Sequence, residues 1–358
     1  MISKETLTTE WLNKISEQNG NADLILLEKV IRALFLLEGL AESGLPFVFK
    51  GGTALMLMLG STRRLSIDID IMIEEETELD EIFHRITELK DFLRFEIQRR
   101  NTVSGIKKAH YKFYYTPISQ TRGDEEYVLL DILIEKHTYQ YVRLIPIESR
   151  FLKHEGELIQ VHVPSIDDIL GDKLTAFAPN TTGIPYEKGD EKRGKEIIKQ
   201  LYDIGTAIDV AIDVGIISKT FHAIAKTELG YRNTGGSSSD VLSDIYETAL
   251  LISTSGIIGK GDFKTLQTGI TQTASFIFSG KYHLPDAITH AAKAAYLSKL
   301  IQHGKTKIEH FTGEEQVSDW IIGEPLHSKL NKLKKTNVEA FFYWYKIYEM
   351  EKELAGAV

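Results

Sequence analysis

Apolar and polar residues alternate without a break from Leu65 to Ile71. Leu65, Ile67, Ile69 and Ile71 fall on one side, with Ser66, Asp68 and Asp70 on the other. A period of two is that of a half-buried strand, so both carboxylates point the same way. Residues 22–43 are apolar nearly all round, which predicts a buried helix stopped by Gly44 and Pro46. A short strand at 47–49 follows, then a helix-like run after Gly51 and Gly52. Beyond an acidic turn at Glu74 to Glu78, the spacing predicts an amphipathic helix near 79–90 and strands over 92–98, 109–117 and 126–135. Residues 164–178 carry a helix-start signature in Ser165 and two acids, with Pro179 as the stop. From about 210 onward the period is helical. The expected fold is therefore α+β: a mixed sheet with flanking helices in a domain over 1–210 (sheet core roughly 45–163), then a mostly helical domain over 211–358.

Several positions in this pattern carry chemistry. Two carboxylates two residues apart repel, and on a strand with an apolar reverse face they call for a cation or basic partners. Mg²⁺ (or Mn²⁺) is the expected ion, because it takes oxygen ligands and keeps substrate phosphates in its shell. Gly51 and Gly52 let bare backbone N–H groups approach an anion, and the helix that follows would start at the same spot. The plain alternatives are a simple Gly-Gly turn and a solvated Asp-x-Asp face. Asp131 interrupts the otherwise apolar stretch EYVLLDILIEK. A lone acid there costs several kcal/mol unless a cation or donor meets it, so it is a candidate third metal ligand. Lys173 lies between Leu170, Leu174 and Phe177, which implies a covered stem with its ammonium aimed somewhere particular. Lys195, Lys199 and Asp203 are four apart, the spacing of a surface ion-pair ladder. The Pro- and Gly-containing stretch 179–190 reads as a loop long enough to act as a lid. The aromatic stripe Phe341, Phe342, Trp344, Tyr345 and Tyr348 reads as core.

Composition narrows the choices. With no cysteine, the chain has no disulfide, thiolate zinc site or cysteine nucleophile. The polar first twenty residues and the lack of a long apolar run predict a cytoplasmic protein with no membrane span. A net charge of −9 argues against wholesale coating of nucleic acid. Three local basic clusters could still touch a polynucleotide: Arg99, Arg100, Lys107, Lys108 and Lys112; Lys188, Lys192, Arg193, Lys195 and Lys199; and Lys329, Lys332, Lys334 and Lys335.

With these residues collected, the chain resembles the AbiEii/AbiGii abortive-infection toxins, a branch of the nucleotidyltransferase superfamily that includes DNA polymerase β. The resemblance rests on KGGTALMLMLGSTRRLSIDIDI at 50–71, and continues through LLDIL around Asp131, DKLTAF around Lys173 and KEIIKQLYDIG around Asp203. It implies that Asp68, Asp70 and Asp131 bind the metal and that Gly51, Gly52 and Thr53 cradle an NTP triphosphate. Lys173 would lie near the phosphates, with Asp203 as a positioning or base-like group. Arg64 and Ser66, on the aspartates' side of the strand, are candidates either to support the metal ligands from behind or to contact phosphate. Two departures stand out. Fifteen residues separate Gly52 from Asp68, and the second motif position is Gly rather than Ser, which shifts the expected triphosphate contact to the Thr53 hydroxyl.

The activity this implies is nucleotide transfer from an NTP to an RNA acceptor, best matched by the 3′ end of tRNA, with a cognate antitoxin as partner. The alternatives are a small-molecule (antibiotic-type) or protein nucleotidyltransferase, and a catalytically inactive nucleotide-binding regulator.

Overall fold

The structure is a computed structural model describing residues 1–60, 62–98, 108–119, 123–232, 235–278 and 280–356, side chains excepted at 355 and 356. It divides into two compact units. The first comprises Met1–Ser165 with Ser275–Lys281, and the second comprises Ile166–Ala274 with Tyr282–Val358.

In the first unit, helices α1 (Thr9–Gln18), α2 (Leu24–Glu42), α3 (Gly51–Leu59) and α4 (Asp80–Leu89) accompany seven strands among the described residues. These are β1 (Val48–Lys50), β2 (Ile69–Ile73), β3 (Arg94–Gln98), β4 (Lys108–Tyr115), β5 (Glu126–Ile134), β6 (Val142–Pro146) and β7 (Gln160–Pro164). Five of them form one sheet in the order β1-β2-β5-β4-β3, and β6 and β7 pair as a separate ribbon. Only β2 and β5 run parallel; the other pairings in the sheet are antiparallel. The expected mixed sheet is present.

Alternation sets its two faces. On β4, Tyr111, Phe113 and Tyr115 are buried, and on β5 so are Val128, Leu130 and Ile132. Phe83 of α4 meets Phe95, Tyr111 and Phe113 edge to face at 4.8–5.4 Å, the geometry that aromatic quadrupoles favour. Phe83 and Phe113, both wholly buried, each contribute about 2–3 kcal/mol through apolar burial.

Helix α2 is buried as its pattern predicts, with Asp23 capping its N-terminus through the Leu26 N–H at 2.9 Å. Three charged residues are buried with it, each with partners. Glu28 accepts the N–H groups of Ile118 and Ser119, Arg32 donates to the Asp91 carbonyl, and Glu38 holds Lys90 at 2.6 Å. Pairing is what makes such burial tolerable.

The second unit carries α5 (Ile166–Ala176), a two-residue hairpin β8 (Glu187–Lys188) and β9 (Glu191–Lys192), α6 (Gly194–Ala207), α7 (Val214–Arg232), α8 (Ser238–Ser253), α9 (Phe263–Thr273), α10 (Leu284–Gln302), α11 (Leu333–Thr336) and α12 (Val338–Gly356). Phe341, Phe342 and Trp344 are buried on α12 as expected of core residues, while Tyr345 stacks on Trp320 at 4.4 Å.

The loop read as a lid is tied down. Asp244 of α8 takes the Asn180 backbone N–H at 2.8 Å and the Thr181 hydroxyl at 2.9 Å, and Arg232 donates to the carbonyls of Thr182 and Gly183. A buried acid accepting these bonds makes 180–183 part of the packed unit rather than a hinged cover.

Candidate active site

The strand bearing the acids is shorter than its alternation suggests. β2 starts at Ile69, because the residues before it pair elsewhere: Leu65 donates its N–H to the Phe276 carbonyl at 2.8 Å and Phe278 donates to the Arg63 carbonyl at 2.9 Å. Ile69 and Ile71 face the core, which turns Asp70 to the opposite face of the sheet.

Register then does what no single strand can. Lys50 pairs with Asp70, Asp70 with Asp131, Asp131 with His110, and His110 with Gln98. One row therefore crosses all five strands, with two neighbouring carboxylates at its centre and a basic residue on either flank. Adjacent strands lie about 4.8 Å apart, so the acids are immediate neighbours. His110 Nδ1 lies 2.5 Å from Asp131 Oδ1, and the Asp131 side chain is 39% exposed against 12% for His110. That imidazole is the donor that Asp131 demands in an apolar strand.

Helix α3 begins next to this row. Gly51 has φ +81°, a left-handed conformation that favours glycine, and a Cβ there would run into the Asp70 carboxylate. A Cβ on Gly52 would strike the Arg64 guanidinium and lie 2.7 Å from the Ser66 hydroxyl. Both glycines thus leave room for the first turn of α3 to lie against Asp70 on one side and Arg64 and Ser66 on the other. At the N-cap, Lys50 contributes no side-chain cap, and a helix N-terminus is a favourable place for an anion. Arg64 and Ser66, expected on the strand, reach this spot from the irregular stretch ahead of it. Both are buried, and Arg64 Nη1 donates to the Leu65 carbonyl at 3.3 Å.

Thr53 differs from its expected role. It is wholly buried and its hydroxyl donates to the Asp68 main-chain carbonyl at 2.6 Å, so it fixes the approach to β2. Among the described residues no three His, Cys, Asp or Glu side chains lie close enough to cage a metal. The acids that adjoin are the pair Asp70 and Asp131, with Asp68 two residues upstream. A pair of carboxylates beside a helix N-terminus suits Mg²⁺, which is held through one or two carboxylates and completed by substrate oxygens.

The remaining candidates belong to the second unit. Lys173 of α5 and Asp203 of α6 form an ion pair at 2.9 Å, with Gln200 Oε1 also 2.9 Å from the ammonium. Both side chains are buried, at 9% and 4% exposure. Asp203 is accordingly not a member of a surface ladder. It has a partner on another helix, Lys173.

Of the basic clusters, Arg99, Arg100 and Lys107 lie outside the described residues. In the second cluster Lys192 pairs with Glu187 at 2.8 Å and Arg193 with Glu191 at 2.8 Å, which reduces its net charge. Lys50 and His110 were not among the residues singled out as site candidates. Lys50 abuts the Gly-Gly pair and was within reach of the motif, whereas His110 becomes visible only through register.

Residues 33–276 match the family described as the nucleotidyl transferase AbiEii toxin of type IV toxin–antitoxin systems. The chain belongs to this AbiEii family. As an AbiEii protein it is a nucleotidyltransferase, and the family implies a nucleotide substrate and an antitoxin partner. Among the solved structures that resemble it are two from Helicobacter pylori. JHP933 from Helicobacter pylori is 15% identical, over 84% of this chain and 94% of that one, with a TM-score of 0.42. A protein from H. pylori described as a candidate nucleotidyltransferase is 16% identical, over 80% and 97%, with a TM-score of 0.42. No curated protein matches the chain. Among the described residues no helix is long and apolar enough to cross a membrane.

Proposed function

We propose that this AbiEii protein transfers a nucleotidyl group from an NTP to a hydroxyl of RNA, with the 3′ end of tRNA as acceptor, using Asp70, Asp131 and Asp68 to hold Mg²⁺. The observation that carries this reading is the adjacency of Asp70 and Asp131 on paired strands, with Gly51 bringing the start of α3 against Asp70. The acceptor oxygen bonds to the α-phosphorus as the bond from that phosphorus to the bridging oxygen breaks, and pyrophosphate leaves with the electron pair. The proton of the attacking hydroxyl passes to the open oxygen of Asp131 and from there to solvent. Bound Mg²⁺ supplies charge neutralisation between the triphosphate and the attacking oxygen.

The first turn of α3 and the Arg64 guanidinium offer donors and positive potential to the phosphates. The RNA acceptor is the family's expected substrate, and the chain's −9 charge leaves recognition to local surface rather than to overall attraction. Incubation with each labelled NTP, Mg²⁺ and total cellular RNA should label a tRNA-sized band, and Asp70→Ala should abolish it. Labelling confined to a protein extract, or unchanged in the variant, would overturn the reading.

A further inference from the structure

The Asp131 carboxylate has a different neighbour on each side of its strand. Toward β2 it adjoins Asp70, and toward β4 its Oδ1 lies 2.5 Å from His110 Nδ1. An ionised carboxylate only accepts hydrogen bonds, so the proton in that contact sits on Nδ1. The imidazole therefore occupies one oxygen from the β4 side and fixes the plane of the carboxylate.

Its own orientation is set by the fold. Tyr111 and the wholly buried Phe113 anchor β4 in the core, which forces His110 onto the face that bears the two acids. With a side chain 12% exposed, the ring has little room to turn away, whereas Asp131 at 39% is open on its other side.

We propose that His110 is a positioning residue for the transfer reaction, holding Asp131 so that its free Oδ2 faces the Asp70 side, where the divalent ion and acceptor hydroxyl would be met. This rests on the proposed function in one respect, that Asp131 is a metal-side carboxylate. Outer partners of ligating carboxylates and imidazoles orient the ligand, and their loss typically weakens metal affinity about 10- to 100-fold. A histidine serving only to fill space beside β5 would have no such effect.

The choice of variants separates the two. Asparagine places its amide N–H where Nδ1 stands, and glutamine places it nearer the position of Nε2, so only His110→Asn keeps the donor on Asp131. Mn²⁺ binding, followed by the EPR signal of the free ion on purified full-length protein, is compared for wild type, His110→Ala, His110→Asn, His110→Gln and Asp131→Asn, alongside the Mn²⁺ dependence of nucleotide transfer.

Affinity should fall about 10- to 100-fold in His110→Ala and His110→Gln, recover largely in His110→Asn, and be lost in Asp131→Asn. Excess Mn²⁺ should restore much of the His110→Ala activity. Should the alanine variant fail to fold, the asparagine and glutamine pair decides. Unchanged affinity in His110→Ala, or equal behaviour of asparagine and glutamine, overturns the positioning role while Asp131→Asn still loses the ion. If Asp131→Asn binds Mn²⁺ as wild type does, or wild type binds none, the metal-side reading of Asp131 itself is wrong.

Discussion

Each unit contains an acid held by a base, and the two pairs are built differently. Asp131 with His110 sits on an open sheet face, with the carboxylate 39% exposed, whereas Lys173 with Asp203 is closed over at 9% and 4%. An exposed acid with one oxygen engaged has another to offer a ligand. A buried ion pair has satisfied itself, and its net contribution to stability is small compared with the penalty for breaking it. The first pair is the one proposed for chemistry, while the second must be separated from its structural role by experiment.

The sharpest break in this contrast comes from Asp70→Ala. It should lower kcat/KM on the order of a thousand-fold or more, since several kcal/mol of transition-state charge stabilisation are lost. The urea midpoint should move far less than activity does, because Asp70 is only half-buried. The reverse is expected in the second unit. Lys173→Ala removes the ammonium from a carboxylate that is 2% exposed and should cost about 3–5 kcal/mol in denaturant unfolding. Lys173→Met combined with Asp203→Leu should regain most of that. A double variant that is stable yet inactive would assign the pair to activity; one that is stable and active would leave it a packing device.

Acid stability probes the same buried region. His290 packs against Tyr202 and Tyr282, and burial, with help from the Lys293 ammonium, pushes its pKa down to about 3 from 6.5. Between those values the unfolded chain binds the extra proton, so stability falls as pH drops from 6.5 toward 3, by up to about 1.4 kcal/mol per unit. The ring's residual exposure trims that slope. His290→Gln should flatten this part of the pH–stability curve, and an unaltered slope would show that other groups set it.

A modest loss of stability is expected from Gly51→Ala. Left-handed strain costs roughly 1–2 kcal/mol, while displacement of Asp70 should reduce transfer far more than the melting temperature suggests.

Local pattern made much of the candidate site legible. Ile69 and Ile71 announced the face that Asp70 avoids, and Asp131 stood out because its strand is otherwise apolar. What escaped the sequence was any relation between distant segments. The alternation that begins at Leu65 overran the true start of β2, since Leu65 is claimed by Phe276 more than two hundred residues later. His110, one of 11 histidines, carries no local mark, and only the pairing of β4 with β5 sets it beside Asp131. Asp203 looked like one rung of a surface ladder because its true partner sits thirty residues upstream on another helix. The stretch 180–183 looked loose because Asp244, which fastens it, lies beyond two whole helices.

The return of Ser275–Lys281 to the first unit bears on how the protein is made. During synthesis every member of the acidic row emerges before residue 135, yet the main-chain brace for Arg63 and Leu65 arrives only with Phe276 and Phe278. A ribosome must finish roughly three quarters of the chain before the approach to Asp68 can close. A prematurely terminated product therefore holds the acids without the scaffold that aims them.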